Sequence, residues 1–303
     1  MRPIVLVAAL SMSVPLGAAE LKRETLTAWN RYVALTEARI ERELGAQNGF
    51  LVQDFLPEDD REAVKRELAE GRVFATKLRT VDARGEDIDV PGGMVHHWVG
   101  SVFVPGVEVE DLLAFLQDYD EHHRYFDEVE ESRLVSRHGD RFEIFLRLRR
   151  TKIVTVHYAT EHSVRYRRHE GGNASSASRT TRIAELEGAN TPDEKEKPVG
   201  DDRGFLWRLN SYWRFAAAPG GVLVECESLS LSRGVPMGLR FLVAGYLDSV
   251  PRESLQATLG PIRASGPALT GGEPPSCSSG ASSRRCDTPP DLRRAEGGAR
   301  RRP

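Results

Sequence analysis

The chain is poor in the residues that carry obvious chemistry. Three cysteines in 303 residues are too few for a disulfide framework, and none stands in a metal-knuckle spacing. Cys226 falls in a strand-like run, while Cys277 and Cys286 lie in a low-complexity tail, where one small disulfide is open to them in an oxidising compartment. The net charge is only −3, so no basic excess marks a nucleic-acid partner. Beyond the first twenty residues, no apolar run approaches the ~20 residues that a membrane span needs. There is no HExxH, Gly-rich phosphate loop, nucleophile elbow or Ser-His-Asp signature. Catalytic residues, metal ligands and cofactors are therefore not expected.

What is present is ordinary globular material: 40% hydrophobic and 29% charged residues, enough for a sizeable core. Residues 1–19 have the layout of a secretory signal. Arg2 precedes an apolar run, Ile4 to Leu10, and small residues Gly17, Ala18 and Ala19 follow. This predicts export to the periplasm or the medium. Residues 20–90 form an N-terminal, mainly helical segment. Leu21, Leu26, Trp29, Tyr32, Val33, Leu35 and Ile40 recur at threes and fours, and a second helix follows Pro57 with the acidic first turn Glu58-Asp59-Asp60.

Residues 91–263 read as the main domain. Strands are expected over 94–104, 141–149, 152–160, 163–169, 177–187, 205–216 and 222–232, with a short helix over 107–119 and a last helix opening at Ser249-Val250-Pro251. Within 141–149, Phe142, Ile144, Leu146 and Leu148 share one face and Arg141, Glu143, Arg147 and Arg149 the other, so that strand has one wet face. Asp118 to His123 reads as a solvated inter-helix segment. His96 and His97 are neighbours on one strand, so only one of them can face inward. Residues 264–303 are rich in Gly, Pro, Ser and Arg, with seven arginines against four acids, and predict a disordered tail.

The strand-helix start HHWVGSVFVPGVEVEDLLAFLQDYDEHHRYF, the element EVEESRLVSRHGD, and the closing SLSRGVPMGLRFL and PRESLQATLGPIR together resemble the START-like (SRPBCC, helix-grip, Bet v 1-like) superfamily, over roughly residues 95–262. The resemblance implies an α+β fold: a curved antiparallel β-sheet gripping a long C-terminal helix, here with additional N-terminal helices. It also implies a hydrophobic cavity that holds lipids, sterols, polyketides or other apolar molecules. The N-terminal segment is a departure from the minimal fold, and three roles are open to it: plugging the cavity, acting as the arm of a homodimer, or packing.

Aromatics make up 7% of the chain, yet GFLWRLNSYWRF, Gly204 to Phe215, concentrates five of them. Alternation places Phe205, Trp207, Leu209, Trp213 and Phe215 on one face, with Ser211 among them, and Arg208, Asn210, Tyr212 and Arg214 on the other. A hairpin with Trp213 opposite Val224 would set the aromatics against Cys226, Ser228 and Ser230, leaving volume that a helix side chain or a ligand must fill. The opposite face would carry exposed charge pairs with Glu225 and Glu227. The expected cavity lining is Trp98, Tyr158, Trp207, Leu209, Trp213, Phe215, Leu255 and Leu259, with Ser228 and Ser230 orienting a polar end. The function expected is non-covalent binding or transport of an apolar small molecule. The alternatives are a cyclase, dehydratase or hydrolase working in the same cavity, and a protein-interaction module acting through the N-terminal helices.

Overall fold

The computed structural model describes residues 21–151, 154–198, 201–234 and 240–269; for 240–248, 250, 267 and 268 only the helical backbone is described. The signal-like segment, the tail beyond Leu269 with Cys277 and Cys286, and the Phe241-Leu242 side chains lie outside what is described.

Strands β1 (Phe74–Lys77), β2 (Gly93–Pro105), β3 (Val129–His138), β4 (Arg141–Thr151), β5 (Thr155–Arg168), β6 (Ala174–Glu187), β8 (Arg208–Ala218) and β9 (Gly221–Arg233) form one open antiparallel sheet in the order β1-β2-β9-β8-β6-β5-β4-β3, and the short β7 (Lys195–Glu196) pairs with β6. The two strands expected over 152–160 and 163–169 are one continuous strand, β5. The break read between them is instead a local shift in its register against β6, where Glu161 faces Arg182 but His162 faces Thr180. Such a bulge bends a strand without ending it.

Helices α3 (Val109–Gln117) and α4 (His122–Tyr125) close one end of the inner face, and α5 (Arg240–Leu269) lies across it. The final helix therefore begins well before Ser249, and Pro251 lies within it rather than in its first turn. Inner-face residues follow the pleat: Trp98, Val102 and Val104 on β2, Val222, Val224 and Cys226 on β9, and Phe142 and Ile144 on β4 join Leu255, Leu259 and Ile262 of α5 in one apolar core. Gly100 makes the close approach of α5 feasible, because a Cβ there would stand 2.7 Å from Leu259 Cδ1 and 3.3 Å from Leu255 Cβ.

The outer face overturns one expectation. The charged residues of the β8–β9 hairpin there are not exposed: Arg214, Glu225 and Glu227 are each 1% exposed. They are covered by α1 (Arg23–Leu44) and the turn Val52–Phe55. Trp29, Tyr32, Thr36 and Ile40 of α1 recur at threes and fours and are all buried, as a helix laid on a sheet requires. A polar network lies beneath them. Arg39 binds both oxygens of Glu43 at 2.9 and 2.8 Å and also Glu227. Arg214 donates to Glu43 Oε2 at 2.6 Å and to the Phe50 carbonyl at 2.9 Å. The Thr80 N–H donates to Tyr32 Oη (2.9 Å), Tyr32 donates to His97 Nδ1 (3.0 Å), and His97 Nε2–H donates to Glu227 (2.7 Å). Buried charges persist only where they are paired and hydrogen-bonded, and α1 supplies the partners. Helix α1 and the Val52–Phe55 turn thus pack on the side of the sheet opposite α5 and do not plug the inner face, whereas Gly71 lies against Arg263 of α5. Helix α2 (Glu58–Ala69) follows, its acidic first turn at the favourable end of the helix dipole.

Candidate functional site

Between the inner face and α5 lies a cavity of about 230 Å³. Its floor is made by β4, β5, β6, β8 and β9, one end by α3 and α4, and its roof by Ser254, Leu255, Ala257 and Thr258 of α5. Most of the wall is apolar, with Leu116, Phe126, Ile144, Leu146, Val164 and Leu209 among its residues.

Four of the ten expected residues line it: Leu209, Trp213, Ser228 and Leu255. The hairpin register differs from the expected one by two residues. Only Pro219 and Gly220 form the loop, so Trp213 stands opposite Cys226 and Phe215 opposite Val224. A two-residue shift preserves the faces, and the large-against-small contrast survives, since Trp213 also stands beside Ser176 on β6. Phe215 stacks parallel on Trp213, with centroids 6.2 Å apart, but is itself fully enclosed in the core. Leu259 and Trp98 are likewise core residues outside the lining, and Ser230 lies beyond it, opposite Leu209 and His96. Tyr158 packs in a separate apolar group with Val156 and Ile183.

Trp207 is a correction. It joins Trp29, Leu229 and Leu231 beneath α1 rather than the cavity. Its N–H donates to the Leu231 carbonyl while Arg208 also stands opposite Leu231. Two residues against one break the alternation and turn the indole to the outer face, where Nε1–H donates to Asp202 at 3.0 Å. Phe205, ahead of the break, is 43% exposed with Arg203 over its ring.

The polar groups facing the cavity were mostly missed. His122, expected in a solvated segment, is buried and lines the cavity, its Nε2–H donating to the Leu116 carbonyl at 3.0 Å. A one-turn helix after α3 rotates it inward, which its Asp- and Glu-rich neighbours concealed. Tyr119 and Tyr166 share a hydroxyl contact of 2.8 Å. On β5, His162 bonds Thr160 Oγ1 at 3.0 Å and meets Ser178 Oγ at 3.4 Å. Of the two strand histidines, His97 belongs to the outer network, while His96 faces inward and bonds Ser232. Burial lowers both His122 and His162 to about 4 and pushes the Tyr119, Tyr166 and Cys226 groups up. Near neutral pH all five face the cavity uncharged. Among the described residues no group of three or more His, Cys, Asp or Glu converges as a metal site, and no helix is long and apolar enough to cross a membrane.

No family model and no curated protein matches this sequence. Among solved structures, a STAR-related lipid transfer protein from Xanthomonas axonopodis is 15% identical over 57% of this chain and 96% of its own, with a TM-score of 0.38. The Zhui aromatase/cyclase from Streptomyces sp. R1128 is 10% identical over 57% and 94%, with a TM-score of 0.39, and human STARD10 is 11% identical over 73% and 84%, with a TM-score of 0.38. A β-strand, two helices, an antiparallel run of strands returning to pair with the first, and a long C-terminal helix across the inner face are, in that order, the START-like, helix-grip fold, and this chain has it.

Proposed function

We propose that the protein binds an apolar small molecule, of lipid, isoprenoid or polyketide-like character, without covalent chemistry in the cavity between the sheet and α5. The observation that carries this is the cavity itself: about 230 Å³ of space walled mainly by leucine, isoleucine, valine and aromatic side chains. Protein interiors ordinarily fill such space with their own atoms. Each ~40 Å² of apolar ligand surface buried there would contribute about 1 kcal/mol. The apolar stripe that a homodimer arm would need, Trp29, Tyr32 and Ile40, faces the chain's own sheet, which favours an integral cover. Export stays within the proposal on the strength of residues 1–19.

The test is native mass spectrometry of the full-length chain purified without detergent, followed by solvent extraction. A co-purifying apolar molecule is expected, on a polypeptide mass lacking residues 1–19 if export processing occurs. Trp213→Ala should lose most of the bound molecule while remaining folded. Trp207→Ala, whose ring is packed under α1, should instead cost roughly 3–5 kcal/mol of stability. Undiminished retention in folded Trp213→Ala would remove the cavity assignment.

A further inference from the structure

Across the floor of the cavity runs a row of hydroxyls set by strand register. Ser178 on β6 stands opposite Ser211 on β8, and Ser211 stands opposite Ser228 on β9. All three line the cavity. Their proton directions follow from the neighbours. Thr160 donates its hydroxyl proton to the Leu146 carbonyl at 2.9 Å, so its oxygen can only accept from His162 Nε2–H. That leaves His162 Nδ1 as a bare acceptor, and the Ser178 hydroxyl donates to it across 3.4 Å. Ser211 Oγ accepts from the Trp213 indole N–H at 3.3 Å, which leaves its own proton free. Among the described residues the Ser228 hydroxyl is given no hydrogen-bond partner, and behind it on the same rung, outside the lining, Trp98 has a buried indole N–H that is unpartnered. The rung therefore offers acceptor and donor sites in sequence, none of them formally charged.

Charge is confined to the edge. Among the described lining residues only Glu128 is ionic; its side chain is 36% exposed and is bound to Arg150 and to Ser254. No lysine or arginine among those residues could neutralise an anion on the floor, and an unpaired carboxylate is strongly disfavoured in an apolar enclosure. Size narrows the class further. A cavity of ~150 Å³ is known to hold one benzene, so about 230 Å³ suits a fused two-ring molecule or a branched chain of similar bulk.

Building on the carrier reading, we infer that the site selects a compact, electrically neutral ligand bearing a hydroxyl or carbonyl oxygen, seated on the Ser178-Ser211-Ser228 rung, and rejects the corresponding carboxylate. Equilibrium dialysis of the full-length chain at neutral pH against naphthalene, 2-naphthol and 2-naphthoate tests it. Naphthol is expected to bind at least as tightly as naphthalene, although naphthalene leaves water more readily, and naphthoate at least about tenfold more weakly than either. In the double variant Ser211→Ala, Ser228→Ala, naphthalene binding should persist while the advantage of naphthol falls about three- to tenfold. Naphthalene binding with naphthoate equally well bound, or an unchanged naphthol advantage in the variant, overturns this inference and leaves the carrier reading standing. Failure of all three probes removes both. Should the variant lose naphthalene as well, the ranking of the three probes on the parent chain decides.

Discussion

Glu225 is the residue whose environment departs furthest from its sequence context. It sits on the outer face, accepting the N–H groups of Val52 and Gln53 and the Ser101 hydroxyl, with Arg214 opposite on β8 and Glu227 two residues along its own strand. Burial raises its carboxyl from 4.5 to about 7, against the opposing pull of Arg214 and those donors. A carboxyl raised in the folded state contributes stability that is complete below its unfolded value and is lost as pH climbs through the folded value. Glu227 has the reverse sign. Burial alone would raise it, but the hydrogen bond from His97 and the charges of Arg39 and Arg214 hold it below its ordinary range, so its contribution is lost only in acid. Glu225→Gln keeps the shape and removes the titration. Relative to the parent it should gain on the order of 3 kcal/mol between about pH 4.5 and about pH 7. The difference in denaturation midpoints at each pH reads this directly, because His122 and His162 titrate alike in both proteins. A flat difference would mean that Arg214 keeps Glu225 ionised throughout.

At the scale of elements, the separation of α5 from the sheet decides whether there is a cavity at all. Gly100 lets the helix settle at one end, with Leu255 and Leu259 against the strand backbone, while Trp213 and Leu209 face open space further along. Gly100→Val would set methyl groups where Leu259 now packs. Overpacking of this kind typically costs 1–3 kcal/mol, so a lower thermal midpoint is expected, with weakened naphthalene binding as α5 is displaced over the site. An unchanged midpoint would show that Leu259 has an alternative rotamer available at little cost. Gly221 serves the neighbouring strand pair in a similar way: a Cβ there would lie 2.2 Å from the Val104 carbonyl oxygen of β2, while the two-residue β8–β9 loop, Pro219-Gly220, sets the register that places Trp213 opposite Cys226.

For the whole molecule, the sheet is a wall with two occupied sides, a ligand-sized space under α5 and a charged, sealed interface under α1. Removing residues 21–45 would take Glu43 from Arg214 and Arg39 from Glu227 and uncover Leu229, Leu231 and Trp207. Breaking a single buried pair usually costs 3–5 kcal/mol, a large share of the 5–15 kcal/mol that holds a domain together. The truncated chain is expected to lose its cooperative unfolding transition and to bind an apolar dye. A truncated chain that still melts cooperatively and binds naphthalene would make α1 a detachable appendage, which would favour the interaction-module alternative.

The sequence alone determined what depends on local pattern. The α1 stripe, the helix after Pro57, the strand limits of β2 and β9, the inward set Ile144, Leu146 and Leu148, and the large-small contrast around Trp213 all follow from periods of 3.6 and 2 and from turn residues, which act over a few neighbours. Only the tertiary structure decided what lies against each face. Arg214, Glu225 and Glu227 read as solvent-facing because charge is ordinarily cheapest in water, and their burial depends on Arg39 and Glu43, nearly two hundred residues earlier in the chain for the Arg39–Glu227 pair. Trp207 left the cavity through a bulge that alternation cannot register. His122, His162 and Ser178 reached it because strands distant in sequence lie side by side, and that adjacency is settled by the packing of the whole sheet rather than by any segment of it.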